Sequence, residues 1–104
     1  MSFNGNEGSP INQNIAAEWT KAYREASPSG LHGHFFGREI LTTLLGQEGC
    51  KGIRLYYGLH DGVQQLLAVG ADQDENDQLD GDFIVADDAS KSPPCSGQLN
   101  ILNN

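Results

Sequence analysis

Asp61-Gly62 is the pair that most constrains this chain. Asp-Gly favours the positive φ angles that a two-residue hairpin turn needs at both central positions. The turn His60-Asp61-Gly62-Val63 lies between Ile53-Arg54-Leu55-Tyr56-Tyr57 and the run Leu66 to Ala71, both rich in the β-branched, aromatic and aliphatic residues that suit strands. With Asp61 and Gly62 at the centre, the register is set: Tyr57 faces Leu66, Leu55 faces Ala68, and Ile53 faces Gly70. These residues line one face of the ribbon. Arg54, Tyr56, Leu67 and Val69 line the other, which is more apolar than a fully wet face. A further segment or a second copy of the chain is expected to cover it.

Two helices are expected before this hairpin. Residues 12–26 place Ile15, Ala16, Trp19, Ala22, Tyr23 and Ala26 on one stripe, with Asn12 as N-cap and Ser27-Pro28-Ser29-Gly30 as the stop. Phe36 to Leu45 carries Phe36, Ile40, Leu41, Leu44 and Leu45 at helical spacing, and Gly46 or Gly49 ends it in a left-handed conformation. After the hairpin, residues 72–82 read DQDENDQLDGD, a polar loop. Phe83-Ile84-Val85-Ala86 then forms a third strand, antiparallel beside Leu66 to Ala71.

The expected fold is therefore α+β: two N-terminal helices packed on a small, mainly antiparallel sheet made of the hairpin 52–71 and a strand near 83–86. At 104 residues there is room for one domain. Its expected limits are 11–90, with a disordered segment 1–10 before it and a tail 91–104 after it. Leu99, Ile101 and Leu102 are the tail residues able to dock.

Charge separates the chain into two halves. Residues 1–60 balance five acids against five bases, whereas residues 61–104 carry nine acids against Lys91 alone. Such a surface repels phosphate and anionic headgroups, which argues against nucleic acid and bare membrane as partners and in favour of a basic protein. The start, MSFNGNEGSP, shows neither the basic nor the apolar region of a secretion signal, and no apolar run approaches a bilayer span. A cytoplasmic, soluble protein is expected.

The chemistry-bearing residues form no complete motif. Asp72, Asp74, Asn76 and Asp80 fall on oxygen-ligand positions of a calcium loop. Asp77 stands where that loop needs Gly, and Phe83 where it needs a bidentate Glu. An ordinary turn is the stronger reading, with weak divalent-cation binding as the alternative. His32-x-His34 lacks the paired spacing of a zinc site. An enzyme would have to assemble its site from Cys50, His34, His60 and Arg54. Cys50 follows the C-terminal end of a helix, where the macrodipole disfavours a thiolate. Gly30-Leu31-His32-Gly33-His34-Phe35-Phe36-Gly37 matches no phosphate loop. Cys50 and Cys95 are too few for a disulfide framework, although a single bridge between them is open. No catalytic residue, cofactor or resident metal is assigned. The reading is a non-enzymatic interaction protein with a basic partner and an optional homodimer.

The runs HFFGRE, GCKGIRLYYG, VGAD and PPC, spread over residues 34–95, resemble a group of small bacterial proteins of uncharacterised function. The resemblance rests on Cys50, Gly52, Ile53, Arg54, Tyr56, Tyr57, Val69, Gly70, Asp72, Pro94 and Cys95, and it implies no activity, substrate or cofactor.

Overall fold

The structure is a computed structural model that describes residues 2–27 and 30–103. The chain is α+β, and its elements are α1 (Gln13–Ala26), β1 (Gly33–Phe35), α2 (Arg38–Leu45), β2 (Gly52–His60), β3 (Val63–Ala71), β4 (Val85–Ala86) and β5 (Ser90–Ser92). They fall into two compact units. One unit combines residues 2–7 with Phe36–Ala89; the other combines Gly8–Phe35 with residues 90–103.

The first unit is built on the hairpin. Asp61 and Gly62 have φ of 51° and 76°, the signature of a type I′ turn. The register that follows is the one the turn predicts: Tyr57 opposite Leu66, Leu55 opposite Ala68, Ile53 opposite Gly70. The strand order is β2-β3-β4, all antiparallel, with Ala68 opposite Ala86 and Val69 opposite Val85. The third strand is thus where it is expected but shorter, covering 85–86 instead of 83–86.

On the face of Ile53 and Ala68, α2 lays Ile40 and Leu44, and Phe36 joins them from just before the helix. Leu44 and Ala68 are fully buried. The helix starts at Arg38, two residues later than its periodicity suggests, with Gly37 as N-cap. It ends as Gly46 donates its N–H to Thr42, but Gly46 stays right-handed at φ −80°. The left-handed glycine is Gly49, at φ 80°.

A buried amide network ties the end of α2 to the sheet. Gln78 is 4 % exposed. Its side chain donates to Glu48 O at 2.8 Å and accepts from Gln47 Nε2 at 3.0 Å, while Gln47 Oε1 accepts from Ile84 N at 3.0 Å. Gly70 makes room for this, because a Cβ there would lie 2.5 Å from Gln78 Oε1.

Within the first unit α2 packs on the ribbon as expected, whereas α1 is grouped in the second unit. The stripe on α1 is also not a core: Trp19 is 65 % exposed, and no residue of the helix is buried. Its start is as predicted, with Asn12 Oδ1 accepting from Asn14 N and Ile15 N. The helix stops at Ala26, as the sequence requires, although Pro28 and Ser29 lie outside the described residues. In the same unit β1 pairs antiparallel with β5, so the stretch read as a connector and part of the tail together form a small second sheet. Arg24 donates to Leu102 O at 2.7 Å, and Leu102 lines a shallow depression with Trp19 and Tyr23. Leu102 of the tail is tied down in this way through its backbone, although its side chain, like those of Leu99 and Ile101, stays exposed.

Of the amino-terminal segment, residues 2–7 are part of the first unit and Gly8–Pro10 of the second. Phe3 donates its N–H to Gln73 O at 2.9 Å. The Glu7 carboxylate accepts from Asn4 N and Gly5 N, each at 3.0 Å, and these bonds hold its pKa below the usual glutamate value.

Candidate interaction surface

The acidic loop folds back on the face of the ribbon opposite α2. Asp72 turns it: Oδ1 accepts from Asp74 N at 2.9 Å and Asn76 N at 3.0 Å, while Asp72 O accepts from Glu75 N. Glu75 takes the positive φ of 69° that closes the turn. Asp77 then bridges to Ala71 and aims its carboxylate across the sheet. Oδ1 accepts from Arg54 Nη1 and Oδ2 from the Tyr56 hydroxyl, both at 2.5 Å. Arg54 Nη1 also donates to Glu75 O at 3.1 Å, and the Phe3 ring stacks with its centroid 5.2 Å from the guanidinium carbon.

These contacts cover the base of the face that the sequence leaves too apolar to be wet. The segment that covers it is this chain's own residues 72–77 together with Phe3. The electrostatics follow from the geometry. The Asp77 hydrogen bond raises the Arg54 pKa, and it also raises the Tyr56 phenol above its usual value, since ionisation would put a phenolate beside a carboxylate.

Of the calcium-loop candidates, Asp72 has one oxygen engaged by the turn, and Asp74 and Asn76 contribute their N–H groups to it. Among the described residues, no group of three or more His, Cys, Asp or Glu side chains is placed to hold a metal ion. Asp80 is exposed.

The enzyme candidates do not meet within the first unit. The Cys50 thiol donates to Gly52 O at 3.1 Å beside Gly70, at the base of the ribbon. Arg54 is held by Asp77 on the opposite face. His60 is at the turn, 3.4 Å from Asp61, at the far end of a nine-residue strand that spans about 30 Å. His34 belongs to β1 in the other unit, where its Nε2 is buried without a hydrogen-bond partner among the described residues. Both cysteines are free thiols.

Sequence reasoning missed Asp77 as the residue that holds the loop, and Gln47 and Gln78 as buried groups. A signal existed only for the first: Arg54 is a lone cation beside Tyr56 on a strand face, and a run of acids follows the hairpin.

The remaining acids of the loop and the two that follow β4 face outward. Among the described residues, Asp74, Asp80, Asp82, Asp87 and Asp88 are exposed and form no ion pair. The distal part of β2 is exposed on the α2 side. Leu55, Tyr57 and Leu59 are 51 %, 80 % and 79 % exposed in one row. No protein-family model matches the chain, and no curated protein or solved structure matches it. Among the described residues, no helix is long and apolar enough to cross a membrane.

Proposed function

We propose that this chain is a non-enzymatic interaction protein whose acidic loop binds a basic protein. One observation carries the reading. Asp77 alone of the loop acids is neutralised by Arg54, and Asp74, Asp80, Asp82, Asp87 and Asp88 are left exposed on the same unit. Exposed like charges on the loop and just after β4, with no cation of the unit paired to them among the described residues, give a negative surface, and such a surface steers and retains cationic partners.

The test is retention by the immobilised full chain. It should hold a defined set of basic proteins that an unrelated protein of equal negative charge does not hold. They should be released between about 0.1 and about 1 M salt, where the screening length falls from about 10 to about 3 Å. Changing Asp80, Asp82, Asp87 and Asp88 to Asn should abolish retention. Binding that survives these changes, or that the control protein matches, overturns the proposal.

A further inference from the structure

We infer that β2 is a self-pairing edge: it joins β2 of a second copy antiparallel, across a two-fold axis at Tyr57. Among the described residues, the sheet order leaves β2 with no neighbouring strand on its outer side. The turn decides which of its backbone groups are free. In a two-residue hairpin His60 and Val63 form a hydrogen-bonded pair, and such pairs alternate along the ladder. Gly58, Tyr56 and Arg54 therefore bond inward to β3, while the N–H and C=O groups of Leu55, Tyr57 and Leu59 point outward.

The same three residues carry the exposed apolar row. They are spaced evenly about Tyr57, so a two-fold axis there places Tyr57 against its copy and Leu55 against Leu59 of the copy. Three hydrogen-bonded pairs would exchange about six main-chain bonds. Isologous contacts require this kind of self-complementarity.

Charge also favours a second copy as the occupant. Within β2 the only Lys, Arg, Asp or Glu is Arg54, which is held on the opposite face by Asp77. Between Leu55 and Leu59 the strand has no Pro, no Lys and no other charged side chain to protect the edge. The acids begin beyond it, at Asp61. From Leu55 to Leu59 the strip carries no charged side chain, and Asp61 and Asp87 border only its Leu59 end.

Sedimentation of the full chain over a concentration series tests the inference. A reversible dimer is expected, and Tyr57→Lys should weaken it about tenfold or more by setting two like charges on the axis. Tyr57→Pro removes an outward N–H without breaking a bond to β3, and it should also dissociate the dimer. Both variants should keep the far-ultraviolet circular dichroism and the thermal midpoint of the monomer.

A wild-type chain that is monomeric at about millimolar concentration overturns the inference, and so does a dimer indifferent to both variants. Slow amide exchange at Leu55, Tyr57 and Leu59 in a monomer would show another segment of the chain on the edge, which overturns it as well. Salt separates this contact from binding of a basic partner. Two copies of net charge −8 repel, so the dimer tightens as salt rises, whereas a basic partner is released.

Discussion

The base and the tip of the ribbon share the same two strands and one continuous register, yet they differ in almost everything else. At the base, Ile53, Ala68 and Gly70 lie under α2 and the Gln47–Gln78 network, and Arg54 is clamped on the reverse face by Asp77. Toward the tip, Tyr57 and Leu59 meet solvent, and Leu55 marks the boundary, half-exposed opposite the buried Ala68. Length explains the contrast. An eight-residue helix is about 12 Å long, whereas nine-residue strands span about 30 Å, so α2 cannot cover the ribbon it packs on. Pairing is therefore a property of the whole ribbon, and complete burial only of the base of β3.

The strongest test of this contrast deletes one leucine from each end. Leu44→Ala removes a fully buried side chain and should cost about 2–5 kcal/mol of unfolding free energy. Leu59→Ala should stay within about 0.5 kcal/mol, provided it is measured at concentrations where the chain is monomeric. Equal losses in urea titrations would mean that the tip is packed as tightly as the base, and the comparison would fail.

A smaller effect separates the two kinds of acid in the loop. Asp77→Ala frees Arg54 and Tyr56 together and should cost roughly 1–2 kcal/mol. This is the lower part of the range for charged hydrogen bonds, because Arg54 and Asp77 keep 29 % and 18 % of their side chains exposed. Asp74→Ala, on the same loop, removes no side-chain bond to the sheet and should change stability by less than about 0.5 kcal/mol. Denaturant midpoints that fall equally would show that the loop is not anchored through Asp77.

What the sequence makes legible here is local. Asp61-Gly62 sets the hairpin register, because two positive φ angles leave one way to pair the flanking strands. Asn12 marks the start of α1, because its side chain meets the first free N–H groups. Asp72 is readable as a turn residue for the same reason. The long-range features are not legible. Gln78 sits in a run of look-alike polar residues. Only the missing side chain at Gly70 and the amide of Gln47, 31 residues away, give it a buried place. Trp19 has core spacing, but spacing names a stripe and not what covers it. The strands of the second sheet are three residues each and lack apolar alternation, so neither announces itself before the two are paired.

The subtlest difference between base and tip is a titration. Tyr56, at the base, donates its hydroxyl to Asp77, and that bond keeps the phenol protonated to higher pH than the usual tyrosine value of 10.0. The folded pKa is raised above the unfolded one. The stabilisation is therefore fully present below pH 10 and is lost as pH climbs through the raised value. An ultraviolet difference titration between wild type and Tyr56→Phe isolates this single phenol, and its midpoint should lie above 10. In an Asp77→Ala background the same difference should move back toward 10, because the largest cause of the shift is gone. A midpoint that is ordinary in wild type, or unmoved by Asp77→Ala, would mean that the acidic loop does not rest on the base of the sheet through this carboxylate.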